Sequence, residues 1–380
     1  MHQDPLTTKE FKRSDIPMDD PAEYDMIVFC HLRWDFVYQR PQHIINRMSE
    51  NLKILFVEEP IPFSDEHEEK TAELVMVNEN LTVLKPRIRT IADLKYVLPI
   101  FVANTTVKYG WFYSSAFVTV LNDLEFETII YDCMDELTMF RGADEMLKAQ
   151  ETYLLSEADI VFTGGKSLFE AKKLVHDYVH CFPSSVDRKH FSKAATEITR
   201  PADLPTGKPI VGFYGVIDER IDLSLVKDTA AKCPGINFVY LGPTAKIDPA
   251  DLPVAKNIFY PGMKSYKELP QYLAAFDVAF MPFALNDATR FISPTKTLEY
   301  MAANKPIVST AIFDVVRDYK DCVAVINNAD ECCTAINNFL NRTEEEKQKE
   351  QEKFATILDN TSWDNTVSKM LELLKNKTYE

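Results

Sequence analysis

Two doubly wound α/β domains in series are the fold that this sequence predicts, and two observations indicate it. Short apolar runs alternate with amphipathic helical segments from Asp25 to about Pro183, and the same alternation restarts at Pro209. Such an alternation is typical of parallel sheets that are covered by helices on both faces. Between these stretches, residues 187–208 carry prolines, a glycine and charged side chains that interrupt the pattern, which predicts an interdomain linker.

The first domain is predicted over residues 23–186, after a disordered lead-in at 1–22. The apolar run 25–30 predicts a buried strand, and a helix is predicted to begin near Arg40 because proline at 41 suits a first helical turn. The run 53–57 predicts the next strand and completes a βαβ unit. Later strands are predicted at 127–132, 159–164 and 178–183, and later helices at 144–158 and 167–175.

The second domain is predicted over residues 209–358, and a separate C-terminal helix over 359–380. The polar run 344–350 predicts a solvated helix face. The C-terminal segment is amphipathic, with apolar positions that share one face: Val367, Met370, Leu371 and Leu374. The second domain's strands are predicted at 209–215, 236–242, 278–282 and 307–309, and its helices at 222–232, 266–276, 294–303 and 329–358.

The composition excludes several classes of protein. The chain has 380 residues, with 42 Lys and Arg against 58 Asp and Glu, and its net charge of −16 disfavours broad contact with nucleic acid. A hydrophobic content of 46% excludes a disordered tail protein. No apolar run reaches the roughly 18 residues of a membrane span, and residues 1–21 are too polar for a signal peptide. Seven cysteines without a C-x-x-C pair predict a reduced, cytoplasmic protein.

The strongest local signal for chemistry is the segment 290–302. Ser293 suits a helix N-cap and Pro294 a first helical residue, so the free backbone N–H groups of that turn, with Lys296, predict a phosphate site. Glu299 lies three residues further along the same face and is a candidate acceptor of hydrogen bonds from ribose hydroxyls. The alternative is a capped helix with a Lys296–Glu299 ion pair, which spacing alone slightly favours because such pairs are common.

This segment resembles the C-terminal signature of GT-B glycosyltransferases, particularly family 4, in which a Pro-x-Lys-x-x-Glu-Tyr-Met-Ala helix is frequent. Three further stretches resemble the same family in the same order: 183–187 with Phe191, 212–220 and 262–282. The stretch 31–43 is similar to enzymes of this group that build bacterial cell-surface polysaccharides. Together the resemblance covers about residues 24–375.

The resemblance implies a GT-B fold, in which two Rossmann-like domains face a cleft and the C-terminal helix returns towards the N-terminal domain. It implies a cytoplasmic, cell-envelope glycosyltransferase that moves a sugar from a nucleotide-diphosphate donor, a UDP-sugar, to a saccharide or lipid-linked acceptor. Retention of configuration, no metal and no cofactor are implied as well. A lipid-linked acceptor would bring the protein into peripheral contact with the inner face of the membrane. The implied donor-binding residues are Gly215, Arg220, Arg290, Ser293, Thr295, Lys296 and Glu299.

The sequence departs from the family pattern at two positions. The family often has two glutamates separated by seven residues, and Phe291 stands at the position of the first. An arginine is also frequent just after the glycine that corresponds to Gly215, where this chain has Val216. Arg220 matches the later basic position, and Arg290 is a candidate for the missing charge.

Three carboxylates follow a predicted strand of the first domain, and we expect them to be catalytic: Asp135, Asp132 and Glu136. Strand ends of a doubly wound sheet point into its crevice, where a carboxylate can act as general base on an acceptor hydroxyl. The alternative for Asp135 is an N-cap of the next helix. Their spacing is not the Asp-x-Asp of metal-dependent transferases, so no metal is expected.

The loop after the first strand supplies the predicted acceptor-binding residues, which are Arg33, Trp34, Asp35, Arg40 and His43. Its aromatic and charged side chains can stack on a sugar and form hydrogen bonds with it. The alternative is a cover for the cleft, with Trp34 and Phe36 packed inside.

Two other functions remain open at this stage. A GT-B sugar-nucleotide 2-epimerase binds a similar ligand without an acceptor, and a non-catalytic relative would bind nucleotide sugars or a partner transferase. Phe291 argues against the epimerase, and the retained Lys296 and Glu299 argue against the non-catalytic relative. The chain has no Walker A motif and no complete G-x-G-x-x-G, which leaves ATPase and dehydrogenase functions without support. The oligomeric state is not predicted.

Overall fold

The computed structural model describes residues 21–61, 72–196 and 199–377. The lead-in expected at 1–22 lies outside the described residues except for its last two positions, of which Ala22 pairs with Val102 in an isolated bridge. The described chain forms two α/β domains, each built on one sheet.

The first sheet has eight strands in the order β3-β4-β2-β1-β5-β6-β7-β8. All its neighbours are parallel except β3 and β4, which pair antiparallel at one edge. β1 consists of five fully buried residues, as a strand covered on both faces requires. The strands are β1 (Met26–Cys30), β2 (Ile54–Glu58), β3 (Ala72–Asn78), β4 (Leu81–Pro86), β5 (Thr106–Phe112), β6 (Glu125–Cys133), β7 (Ile160–Thr163) and β8 (Val179–Cys181).

Four helices cover this sheet, and a fifth lies in the linker. Proline in the first turn of α1 costs no hydrogen bond, because the first N–H groups of a helix have no partner within it. The helices are α1 (Arg40–Met48), α2 (Leu94–Phe101), α3 (Leu147–Glu157), α4 (Lys166–Lys172) and, in the linker, α5 (Arg188–Phe191).

The second sheet has six parallel strands in the order β11-β10-β9-β12-β13-β14. The strands are β9 (Ile210–Tyr214), β10 (Asn237–Leu241), β11 (Ile258–Gly262), β12 (Val278–Met281), β13 (Ile307–Thr310) and β14 (Ala324–Ile326). The helices are α6 (Leu223–Lys232), α7 (Leu269–Ala274), α8 (Thr295–Ala302), α9 (Phe313–Tyr319), α10 (Ala329–Leu340), α11 (Glu344–Leu358) and α12 (Trp363–Lys377).

Each sheet has one point where the direction of winding reverses. In the first sheet β1 lies between β2 and β5, and in the second sheet β9 lies between β10 and β12. Ligands of doubly wound sheets bind outside the carboxyl ends of the strands at such a point. The fold class predicted from the sequence is confirmed, with both domains doubly wound.

The C-terminal helix α12 packs on the first domain, as predicted for the GT-B fold. Trp363, Val367 and Met370 are buried in the same hydrophobic cluster as Ile44 and Ile45 of α1. The indole of Trp363 also stacks on the His43 ring, with 4.8 Å between the centroids and 10° between the planes. Helix α12 therefore packs against α1, the first helix of the first domain.

Two sequence expectations need correction. Residues 329–358 form two helices, because Thr343 accepts a hydrogen bond from the Glu346 backbone and so begins α11. Five strands were not predicted: β3, β4, β5, β11 and β14. Of these, β3 is a partly exposed edge strand without a continuous apolar run. The sulfur atoms of Cys233 and Cys333 lie next to each other, although the two residues are 100 positions apart in the sequence.

Contacts between α4 and α9 hold the two domains together beside the cleft. Lys166 Nζ lies 2.5 Å from the Asp318 carboxylate, and Arg317 Nη1 lies 3.0 Å from that of Glu170. At the linker, the Ser184 hydroxyl donates to the Ser293 carbonyl at 3.0 Å. None of the described helices is long and apolar enough to cross a membrane.

Candidate functional site

The two winding-reversal points border one cleft between the domains. On the second domain, Gly215 follows β9 and Phe283 lies just beyond β12. On the first domain, Asp135 follows β6 and Gly164 follows β7. The starts of α8, α1 and α7 also line the cleft, as do Ser184 and Tyr266. Residues far apart in the sequence therefore meet because parallel strands end at the same edge of a sheet.

Helix α8 directs its first turn into the cleft. It begins at Thr295 with Pro294 as the cap residue, so the cap expected at Ser293 is one residue too early. Ser293 instead accepts the hydrogen bond from Ser184 through its carbonyl, and the Thr295 hydroxyl also lies 3.2 Å from the Ser184 hydroxyl. Pro294 has no side-chain acceptor for the helix N–H groups, which leaves them available to a ligand.

Lys296 extends from that turn across Gly215. A Cβ atom at Gly215 would lie 2.3 Å from Lys296 Cε, and the backbone φ of 142° is one that glycine adopts readily. No ion pair holds the Lys296 ammonium among the described residues, and burial lowers its pKa, an effect that Glu299 opposes. A cation in this position favours an anionic ligand.

Glu299 lies one turn further along α8 and is buried. Its carboxylate accepts a hydrogen bond of 2.7 Å from the Tyr214 hydroxyl at the end of β9. No ion pair joins it to Lys296 in the described structure, so the alternative of a Lys296–Glu299 ion pair is wrong. Burial raises the pKa of Glu299, and the nearby Lys296 charge works against that rise.

Arg220 reaches the cleft from the loop after β9. Its guanidinium donates to both carboxylate oxygens of Asp218 at 2.7 to 3.1 Å and lies 5.4 Å from the ring centroid of Phe140. The charge of Arg220 is thus largely balanced by Asp218, whereas that of Lys296 is not.

Arg290 and Phe291 lie away from the cleft lining. Arg290 lines a separate groove of about 770 Å³ beside α4, where its guanidinium lies 5.2 Å from the Phe291 ring. Phe291 packs against the hydrophobic core of the first domain. Arg290 therefore lies outside the cleft lining and does not supply a charge to the cleft.

The three predicted carboxylates of the first domain have different surroundings. Asp132 is fully buried and accepts from Arg40, with the closest approach at 2.8 Å. Glu136 pairs with Lys172 at 2.7 Å. Asp135 lines the cleft and its carboxylate accepts no hydrogen bond among the described residues. Burial raises the pKa of Asp135, while the charge of Arg220 opposes the rise.

The pairing of Arg40 with Asp132 means that neither charge is free, although Arg40 still lines the cleft. Arg40 also donates from Nη1 to the Phe182 carbonyl at 2.7 Å, which leaves two of its five N–H groups without a partner among the described residues. Sequence spacing gave no sign of this pair, because its members are 92 residues apart.

The predicted acceptor loop lies only partly in the cleft. The Trp34 ring packs on Phe56 with 5.0 Å between centroids, in agreement with the packing alternative. Asp35 pairs with Lys85 at 2.7 Å, and neither Trp34 nor Asp35 lines the cleft. Arg33 is exposed near the loop's start.

His43 lines the cleft but is held between aromatic rings. Besides Trp363, it contacts Tyr266 with 5.4 Å between centroids, and Tyr38 at 4.7 Å. Burial places the pKa of His43 well below its usual value, so the ring is neutral. Its position between Tyr266 of the second domain and Trp363 of α12 indicates packing more than sugar binding.

Sequence reasoning missed Tyr214 and Tyr266. Tyr214 stands directly before Gly215 in a stretch that resembles the family. Its position at the end of a predicted strand could have identified it as a cleft residue. Tyr266 has a buried hydroxyl without a partner in the described chain and lines the cleft near Glu299. No local pattern marks it, since it follows β11 at the start of a predicted helix.

Residues 208–342 match the family model described as Glycosyl transferases group 1. The matched residues span most of the second domain. A Bacillus subtilis (strain 168) protein named "Putative teichuronic acid biosynthesis glycosyltransferase TuaH" is 26% identical over 220 residues. That match covers 53% of this chain and 54% of the relative, so the chain aligns with about half of that protein's length.

Solved structures with a GT-B fold cover nearly the whole chain. Sucrose-phosphate synthase from Thermosynechococcus elongatus superposes with a TM-score of 0.67 at 13% identity, over 93% of this chain and 99% of the other. An E. coli structure described as trehalose-6-phosphate bound with UDP-2-fluoro glucose gives 0.65 at 11% identity, over 92% and 98%. At these identities the likeness shows the fold, and it confirms the GT-B resemblance.

The Asp132→Asn variant should lose about 3–5 kcal/mol of unfolding free energy, because it leaves the buried Arg40 guanidinium without a counter-charge. Urea denaturation followed by circular dichroism measures it. The matched control is Asp35→Asn, whose exposed pair with Lys85 is worth at most about 1 kcal/mol. Equal stability of the two variants would contradict a structural role for Asp132.

Proposed function

We propose that the protein transfers a sugar from a UDP-sugar to a saccharide or lipid-linked acceptor in the cleft. The observation that carries the proposal is the Lys296 ammonium at the first turn of α8, which has no ion pair within the described ranges. Held beside uncapped backbone N–H groups, this cation is suited to a diphosphate. The group 1 domain that contains it supports the same ligand class.

In this proposal the second domain binds the donor. Glu299, oriented by Tyr214, accepts hydrogen bonds from the ribose hydroxyls, and Lys296 with Arg220 binds the diphosphate. When the bond between the anomeric carbon and the diphosphate oxygen breaks, negative charge develops on the departing UDP. Lys296 and the first turn of α8 stabilise that charge without rearranging, and for this reason we propose a metal-independent reaction.

The first domain presents the acceptor in the same proposal. The acceptor oxygen bonds to the anomeric carbon, UDP leaves, and Asp135 takes up the hydroxyl proton or stabilises the positive charge at the reacting carbon. Asp135 fits these roles because its carboxylate is unpartnered among the described residues and faces the cleft. Retention of configuration is proposed from the family resemblance, and one similar solved structure comes from work on glycosyltransfer with retention in trehalose-6-phosphate synthase.

The domains must separate to admit the donor. The cleft holds about 140 Å³ of free volume, whereas ligand pockets typically measure about 300–1,000 Å³. The relative named for teichuronic acid biosynthesis supports an acceptor from a cell-envelope polysaccharide. We place the reaction in the cytoplasm, at the inner membrane face if the acceptor is lipid-linked.

The Glu299→Ala variant should bind UDP about tenfold to a hundredfold more weakly, because a hydrogen bond to a charged group contributes about 1.5–3 kcal/mol. Isothermal titration calorimetry measures the affinity, and circular dichroism checks the fold. Glu352→Ala, on the exposed face of α11, is the matched control. Unchanged affinity in Glu299→Ala would refute the ribose assignment.

The Asp135→Asn variant should lose about 10²–10⁴-fold in turnover while it still binds UDP. In the wild type, the rate should fall as the pH drops through the raised pKa of Asp135, because protonation removes the base. Acceptor-dependent UDP release measures both effects. The neighbouring Glu136→Gln, whose carboxylate pairs with Lys172, is the control, and equal rates in the two variants would exclude Asp135 from catalysis.

Sugar transfer should persist in excess EDTA, because Lys296, Arg220 and the α8 terminus supply the positive charge. The measurement is UDP release in chelator with and without added manganese or magnesium. Activity that disappears with EDTA and returns with metal would show that the diphosphate is bound in another way.

A further inference from the structure

Gly165 lies just after β7, where the first domain meets the second. A Cβ atom at this position would lie 2.8 Å from Asp314 Oδ2 and 2.9 Å from Ser293 Cβ, both nearer than the contacts that real side chains make. The next nearest heavy atom is the Phe291 carbonyl oxygen at 3.8 Å. All three atoms belong to the second domain, so the two domains approach each other here more closely than a residue with a side chain permits.

The backbone at Gly165 does not itself require a glycine. Its φ of −164° and ψ of 165° describe an extended conformation that any residue adopts. Apart from its neighbours along the chain, no described atom of the first domain lies nearer than 3.8 Å to the position of a Cβ. The reason for a glycine at this position is therefore the close approach of the other domain.

The two nearest groups of the second domain are held in place. Ser293 Cβ is bonded directly to a backbone whose carbonyl accepts a hydrogen bond of 3.0 Å from the Ser184 hydroxyl. The buried Asp314 carboxylate accepts from Arg317 Nη2 at 2.7 Å. It also accepts from the backbone N–H of Ser167, on the first domain, at 3.4 Å. A side chain between the domains would therefore push them apart.

The same contact links the proposed reactive groups of the two walls. On the first domain, Gly164 packs so closely on Met134 that a Cβ would lie 2.7 Å from its carbonyl oxygen, and Asp135 is the next residue. On the second domain, Ser293 leads through one proline into the first turn of α8, which carries Lys296. A short series of backbone contacts thus runs from the loop of Asp135 to the helix start that carries Lys296.

We propose that Gly165 is a positioning residue for sugar transfer, and that its lack of a side chain sets how closely Asp135 and the first turn of α8 approach each other. Gly165 touches neither substrate and acts through Ser293. The inference rests on the proposed function, in which the proton acceptor and the donor diphosphate belong to different walls. A misplacement of about 1 Å can lower a rate about 10²-fold, so a single methyl group at this contact is sufficient.

The test is the Gly165→Ala variant, which adds only the Cβ atom. Its turnover, measured as acceptor-dependent UDP release, should fall about tenfold to 10²-fold. Its UDP affinity, measured by calorimetry, should not fall, because Glu299 and Lys296 both belong to the second domain. The matched control is Gly235→Ala, where a Cβ meets no atom within 4 Å and the backbone φ is not positive, and it should behave as wild type.

A double-mutant cycle shows whether the loss runs through the contact. Ser293→Gly removes the Cβ that cannot move out of the way. In that background, Gly165→Ala should lower turnover at least about fivefold less than it does in the wild type, since residues in contact have non-additive effects. Equal losses in the two backgrounds would show that Gly165 does not act through Ser293 and would overturn the inference.

Hydrogen–deuterium exchange tests the contact without an acceptor. The Ser167 N–H is bonded to Asp314 of the other domain, so its exchange reports on the approach of the two domains. In Gly165→Ala, exchange of this amide, followed by mass spectrometry, should be at least about fivefold faster than in the wild type, as expected for overpacking. In Gly235→Ala it should be unchanged.

The outcomes separate this inference from the proposed function. Wild-type turnover in Gly165→Ala, parallel losses of turnover and UDP affinity, or unchanged exchange at Ser167 overturns the inference. Loss of the native circular dichroism spectrum also overturns it, because the glycine would then be needed within the first domain. Failure of the wild type to bind UDP would refute the transferase function, while exchange at Ser167 still tests the contact.

Discussion

The site depends on one constraint of parallel sheets, that strands entering from one edge all end at the opposite edge. Two such sheets face each other, so eight separate stretches of sequence, most of them strand ends and helix starts, line a single cleft. Neither domain alone has the complete set. Tyr214 with Glu299 belongs to one wall and Asp135 to the other, and the linker contact of Ser184 with Ser293 holds the walls together.

Charge pairing then decides which side chains are available to a ligand. A buried charge is costly unless it is paired. Arg40 therefore pairs with Asp132 and Lys172 with Glu136, although the sequence alone suggests that Asp132 and Glu136 are free to bind a ligand. Lys296 and Asp135 remain without a partner among the described residues. Their opposite charges lie on opposite walls, which suits a donor with an anionic leaving group and an acceptor that loses a proton.

The contacts between the domains differ in strength. The pair of Arg317 with Glu170 is partly exposed, and such pairs contribute at most about 1 kcal/mol. The packing of Trp363 on His43 is buried. The structure thus combines a buried contact around α12 with partly exposed ion pairs at the α4–α9 side.

The sequence by itself determined the fold class and the presence of a helix that carries Lys296 and Glu299, because apolar runs and a proline at a helix start are local patterns. It also ranked Asp135 first among the carboxylates, although no local pattern distinguished it from Asp132. Only the tertiary structure decided that Asp132 is neutralised by Arg40, that Phe291 packs on the other domain and that Tyr214 orients Glu299. Such outcomes depend on residues brought together across dozens of positions, and the free energy of burying a charge is set by those neighbours and not by the adjacent sequence.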